Sequence, residues 1–269
     1  MLITSRSNPL IIETASLKEK KYRERSSLFI FEGVKLFDEA VKRGVDIVRV
    51  FATEKMTEYC KNSAYNGEII TVSDSVYEKL SSEKAPEGII CVAKYIDKSH
   101  NLIIIYKEDE MDARKDSPIL LLESVRDPLN VGAIIRSAAA LGVGRLIMSA
   151  VCADLYHPKT LRAAMGPLFS MPITRVEDLA GTVKALRQSG RRIYAAALDD
   201  TAICLGSPEL DAEREGHPVG AVIGNEGHGL TEAVIAACDR SVYIPMKADT
   251  ESLNAGVAAA LIMWEICKK

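Results

Sequence analysis

A chain of 269 residues, 48% hydrophobic and 26% charged, is long enough to bury one large core or two ordinary ones. Its net charge of -3 excludes a globally basic nucleic-acid binder, and its six cysteines and four histidines, dispersed with no C-x-x-C pair, offer neither a zinc site nor a disulfide framework. The opening MLITSRSNPLIIE lacks a signal peptide's apolar stretch and no run approaches ~20 uninterrupted apolar residues, so a cytoplasmic protein with no membrane span is expected.

In chain order, LFIFEG (28–33), IVRVFAT (47–53), EIITVS (68–73) and GIICVAKYI (88–96) predict strands. After the first of them, Val34, Phe37 and Val41 share a helix face that Gly44 closes. These elements predict a small α/β domain over residues 1–99. The acidic stretch up to Pro118 predicts a solvated linker over 100–117. Beyond it, ILLLES, RLIMSA, RIYAAAL, VGAVIGN and SVYIPM are near-continuous apolar runs, as strands covered on both faces should be. Helices are expected from Val131 to Leu141, from Asp178 to Gly190 and from Ser252 to the C-terminus. Residues 118–269 therefore predict a mostly parallel α/β sheet, whose ligands belong where strand ends meet helix starts.

Three such strand ends carry the polar residues. VRDPLNVGAIIR offers Asn130 as a cap or a working group, and Arg136 interrupts a helix otherwise built of Ala, Ile and Leu. NEGHGL offers free backbone N–H groups and the carboxylate of Glu226, either as an anion nest or as an exposed glycine turn. KADTESLNAG offers Ser252, a good cap by type, and Asn254, which helix propensity explains less well. No P-loop or G-x-G-x-x-G is present. A fourth cluster, KEKKYRER, places Lys18, Lys20, Lys21, Arg23 and Arg25 close together, as a phosphate-binding patch or as an ordinary solvated helix.

Taken together, these segments resemble the SpoU (TrmH-like) group of SPOUT methyltransferases. DPLNVGAIIRSAAALGVGRLIMS is similar to its first motif, AVIGNEGHGL to its second and IPMKADTESLNAGVAAA to its third, and LYHPKTLRAAMG looks like its connecting segment. The N-terminal half resembles the L30e-like substrate-binding domain that precedes the catalytic domain in ribosomal RNA members. The resemblance implies methyl transfer from S-adenosylmethionine to a ribose 2′-hydroxyl of RNA, with 23S ribosomal RNA as the expected substrate. It also implies a deep trefoil knot, which ordinary fold rules would not propose, a homodimer and no metal. It assigns catalytic roles to Asn130, Arg136, Glu226, Ser252 and Asn254, and cofactor contacts to Gly224, Ile244 and Leu253. The family often reads S-L-N-V-S in the third motif where this chain has SLNAG, so Ala255-Gly256 removes a hydroxyl. A transfer RNA methyltransferase, a non-catalytic ribosome-assembly factor and a Rossmann-like nucleotide binder are the competing readings.

The resemblance implies that Arg136 is the general base. A guanidinium holds its proton to a pKa above about 12, which favours a cationic clamp on phosphate or developing alkoxide instead. Asn130, Ser252 and Asn254 are expected to orient ribose and arginine, and Glu226 to fix its loop or hold Arg136.

Overall fold

The computed structural model describes residues 2–99, 116–247 and 252–268, so the expected acidic linker lies, but for its last two residues, outside the described residues. The chain divides into two units, Met1–Ile96 with Tyr156–Ser170, and Asp97–Leu155 with Met171–Lys269. Both are discontinuous in sequence, which a single boundary near residue 100 does not anticipate.

The first unit runs β1 (Leu2–Ile3), α1 (Pro9–Ser16), α2 (Lys20–Ser26), β2 (Leu28–Glu32), α3 (Val34–Lys42), β3 (Ile47–Thr53), α4 (Glu54–Lys61), β4 (Ile69–Val72), α5 (Asp74–Leu80) and β5 (Ile89–Lys94). β3 coincides with its predicted run and the other three predicted strands are trimmed at their ends. The sheet order is β1-β4-β3-β5-β2, with β5 antiparallel to both β2 and β3. One core, around Ile11, Phe51, Val72, Val76 and Leu80, fills the space under α1 and α5. α1 starts where Asn8 accepts the Leu10 N–H at 2.9 Å and Pro9 occupies the first turn, where its missing N–H is not needed.

The second unit begins with β6 (Lys98–Ser99), β7 (Ile119–Leu122), α6 (Pro128–Leu141) and β8 (Arg145–Ser149). The chain then contributes α7 (Pro158–Ala164) and a 3-10 turn (Gly166–Phe169) to the first unit. There Tyr156 stacks on Tyr95 with ring centroids 4.0 Å apart, packs on Phe29 at 4.5 Å and accepts the Ile96 N–H at 2.7 Å. Phe31 continues the row to Phe169. The chain returns as β9 (Ile173–Val176), α8 (Leu179–Gln188), β10 (Arg192–Ala196), β11 (Ile203–Cys204), α9 (Pro208–Arg214), β12 (Val219–Ile223), α10 (Glu232–Ala237), β13 (Arg240–Tyr243) and α11 (Ala255–Ile266).

The strand order of this unit is β11-β13-β10-β12-β7-β8-β9-β6, and every described pairing is parallel. β7, β8 and β12 are buried along their whole length, which is why their sequences are apolar without alternation. Leu121, Ile147, Val183, Ile193 and Val222 form part of one core.

Two helix starts differ from expectation. α6 begins three residues before Val131, because Asp127 accepts the Leu129 N–H at 2.8 Å and Pro128 fits the first turn. Asn130 thus lies inside the first turn and is not the cap. α11 is capped by Asn254, whose Oδ1 accepts the N–H groups of Gly256 and Val257, so Ser252 is not its cap.

Candidate active site

The loops after β7, β12 and β13 open at the carboxyl ends of three parallel strands, β12 flanked by β7 on one side and β10 then β13 on the other. Parallel pairing forces those ends to the same edge of the sheet. A cavity of about 600 Å³ lies there, walled by Gly224, Glu226, Ile244, Ser252 and Leu253 together with the end of β10. Residues from separate stretches of the chain thereby share one wall.

At its mouth three side chains form a hydrogen-bonded chain. Asn254 Nδ2 donates to Asn130 Oδ1 at 2.9 Å, and Asn130 Nδ2 donates to Glu226 Oε1 at 2.6 Å. The orientation of both amides is dictated by chemistry. The Gly256 and Val257 N–H groups can only donate, so Asn254 must turn its oxygen toward them. Its amide nitrogen then faces Asn130, whose own nitrogen faces the carboxylate. The chain is polarised in one direction, from a helix start to an anion, and each bond strengthens the next. Asn130 is 7% exposed, so the loss of either partner would leave a buried amide wanting.

Gly224 owes its place to a close approach. A Cβ there would come within 2.4 to 2.7 Å of the Gly229 and Leu230 backbone, so any side chain would force the loop apart. Gly256, in the altered third motif, lies beside the asparagine pair. A Cβ on it would meet Asn254 Oδ1 at 3.1 Å and face Asn130 Oδ1 at 3.6 Å. The missing hydroxyl therefore concerns the asparagine pair directly.

Arg136 is exposed on α6 and makes no hydrogen bond or ion pair to another described residue, so it does not join the Asn254–Asn130–Glu226 chain within this chain. Among the described residues no cysteine lines the cavity. Burial pushes the Cys238 thiol up to about 12, and Cys152, under β7, is raised as well. Among the described residues no group of three or more His, Cys, Asp and Glu is placed to hold a metal.

The profile of the SpoU rRNA methylase family matches residues 117–264, and that of the MRM3-like substrate binding domain matches residues 8–91. The chain belongs to the SpoU rRNA methylase family. It is 28% identical to the 23S rRNA (guanosine(2553)-2'-O)-methyltransferase RlmP of Bacillus subtilis, over 98% of each chain. It is 31% identical to the 23S rRNA (uridine(2479)-2'-O)-methyltransferase of Streptomyces viridochromogenes, over 99% of this chain and 92% of that one. The AdoMet-bound rRNA methyltransferase of Sinorhizobium meliloti superposes with a TM-score of 0.84 at 25% identity, covering 99% of this chain and 97% of the other.

In this SpoU protein the basic cluster of the N-terminal unit divides by direction. Arg23 is 3% exposed, and its Nη1 donates to the carbonyls of Leu17 and Lys18, both at 2.7 Å. Lys18 Nζ donates to the carbonyls of Lys79 and Ser81, and burial lowers its pKa against the opposing pull of Glu32. Those two cations are spent on the fold, a correction to the five-residue patch read from the sequence. Lys20, Lys21 and Arg25 stay exposed, with Glu24 and Glu19 beside the two lysines.

Sequence reasoning missed two residues at the site. Asn225 Nδ2 donates to the Ser124 carbonyl at 2.8 Å while its Oδ1 accepts from Gly227 and His228. Glu123, 8% exposed, accepts twice from Thr231. Glu123 reads in sequence as the frayed end of an apolar strand; its one signal is a lone acid closing ILLLE.

Proposed function

We propose that this protein transfers a methyl group from S-adenosylmethionine to a ribose 2′-hydroxyl of 23S ribosomal RNA, in the cytoplasm and as a homodimer. The observation that carries the reading is the Asn254–Asn130–Glu226 chain at the mouth of a cavity walled by Gly224, Ile244 and Leu253.

The cavity suits the cofactor. Its volume lies in the range of small-molecule sites. Ile223, Ile244, Leu253 and Ile262 give it apolar walls, and Gly224 brings bare backbone to the surface. When bound, S-adenosylmethionine supplies an electrophilic methyl carbon on a sulfonium. The protein's share is alignment: an oxygen held opposite the departing sulfur gains several kcal/mol from effective molarity. Asn130 and Asn254, each locked by the other, hold the ribose in register. Glu226 keeps Asn130 turned and anchors its loop against the pocket. Ser252, on the cavity wall, offers a hydroxyl to the sugar. Arg136, permanently cationic, stabilises the alkoxide as the hydroxyl proton leaves to solvent.

Arg136 acts, in this reading, on the partner subunit's site. Val257, Leu261 and Trp264 lie at helical spacing on α11 and are 50%, 41% and 62% exposed, and α11 packs on α6, the helix of Arg136. Such a stripe suits a two-fold contact. The trefoil knot belongs to the same reading; it is supported by the placement of β13 beyond β10 while its following loop shares a wall with that of β12. RNA phosphates are met by Lys20, Lys21 and Arg25. Six free thiols suit a reducing compartment, and among the described residues no helix is long and apolar enough to cross a membrane.

The test is methyl transfer from labelled S-adenosylmethionine to unmodified 23S ribosomal RNA, with the product nucleotide mapped by mass spectrometry. Label on a ribose oxygen is expected. Cofactor binding with no transfer to any ribosomal or transfer RNA would instead make the protein an assembly factor.

A further inference from the structure

The loop between β12 and α10 carries Gly224 and Glu226, and both of its ends rest on two consecutive residues at the end of β7. We infer that one of them, Glu123, is a positioning residue for methyl transfer, holding this loop through Thr231 so that Glu226 meets Asn130.

Glu123 directly follows β7, and its N–H extends the sheet by donating to the Ile223 carbonyl at 2.9 Å. Its two carboxylate oxygens are used separately. Oε2 accepts the Thr231 N–H and Oε1 accepts the Thr231 hydroxyl, both at 2.8 Å. Two donors side by side on one residue match the paired acceptors of a carboxylate. Thr231 in turn caps α10 by accepting the Val234 N–H, so the carboxylate fixes the loop's exit and the helix that follows.

The loop's entrance is fixed one residue later. Ser124 takes a left-handed conformation, φ 56°, which a residue with a Cβ adopts only when its surroundings demand it. That turn aims its carbonyl at Asn225 Nδ2, 2.8 Å away. Between these anchors Asn225 and Gly229 bond each other's backbone at 3.0 and 2.9 Å. The loop is therefore a closed ring held at two points on one side and by Asn130 at its tip on the other. Glu123 is 8% exposed, and among the described residues its carboxylate bonds go to Thr231 rather than to a cation. A buried carboxylate without a counter-charge is a poor stabilising device, and here both oxygens go to Thr231, at the exit of the loop that walls the site.

This inference rests on the assignment of that cavity as the active site, and the experiment separates the two. Glu123→Ala, Glu123→Gln, Thr231→Val and Asn130→Ala are compared for cofactor affinity by calorimetry, for kcat and KM on ribosomal RNA, and for amide exchange over residues 224–231. Leu80→Ala, a change in the separate core of the first unit, controls for lost stability. Glu123→Ala is expected to weaken cofactor binding and lower kcat about tenfold each, with KM for RNA little changed and loop exchange faster. Glu123→Gln recovers much of this, since its amide oxygen still accepts one bond and its NH2 faces the hydroxyl. Thr231→Val is costly in the native background and nearly silent in Glu123→Ala. If Glu123→Ala keeps kcat, affinity and exchange at the Leu80→Ala level while Asn130→Ala is crippled, the inference is overturned and the site stands. If Asn130→Ala is also unaffected, the site assignment itself falls, and the inference with it.

Discussion

The cavity loops and the basic helix α2 are both clusters of polar residues quoted easily from the sequence, yet only the first converges. At the cavity, residues from three strand ends are driven together because parallel neighbours must end at one edge. On α2 the charges are neighbours in sequence, but a turn every 3.6 residues sends them around the helix. Arg23 goes inward to two carbonyls, and Lys20 and Lys21 go outward. Topology gathers residues that are distant in sequence; local periodicity scatters residues that are adjacent.

The comparison breaks most sharply at the asparagine chain. Asn130→Ala leaves Glu226 and Asn254 without their shared partner, and turnover is expected to fall about 100-fold or more with the melting temperature shifted far less. Near-normal turnover in a steady-state assay would dissolve the contrast. Arg136→Lys keeps the charge and loses the fork, with a loss of about tenfold expected. A mixed dimer of Arg136→Ala with Asn130→Ala should regain activity at one of its two sites, measured on separately tagged subunits.

The inward half of the other cluster is tested by stability. Arg23→Glu turns a buried carboxylate on the Leu17 and Lys18 carbonyls and is expected to remove about 3–5 kcal/mol in urea unfolding. Lys20→Glu with Lys21→Glu should leave folding intact, weaken RNA binding severalfold and lower its salt slope by about 2. An equal effect of both changes on stability would erase the distinction between inward and outward charges.

The smallest effect is alkaline. Burial raises the Cys60 and Cys267 thiols from 9.0 to about 11 and Cys238 to about 12. A raised folded pKa gives stability that is fully present below the unfolded value near 9 and lost as pH climbs through the folded one. Denaturation midpoints should therefore hold to about pH 9 and decline between 9 and 12, less steeply in a Cys238→Ala variant.

What the sequence made legible follows the same physics. The strands of the second unit stand out because both faces are covered, and the three loops because glycines and short polar residues break those apolar runs. The start of α6 lies before the expected Val131: Asn130 reads as a cap by type, and only the hydrogen bond from Leu129 to Asp127 shows where the helix begins. Glu123 was hidden because its partner, Thr231, lies 108 residues away. The direction of Arg23 depends on carbonyls that no side-chain pattern reveals.

The aromatic row from Tyr95 through Tyr156, Phe29 and Phe31 to Phe169 has a consequence for biogenesis. Residues up to Ile96 leave the ribosome before Tyr156–Ser170, which belong to the same unit. Its ring ladder cannot be completed until the chain beyond β8 has been synthesised, so the nascent N-terminal half must wait with Phe29 and Phe31 uncovered on one side. A gene fusion that borrowed only this half would inherit the same bare aromatics permanently.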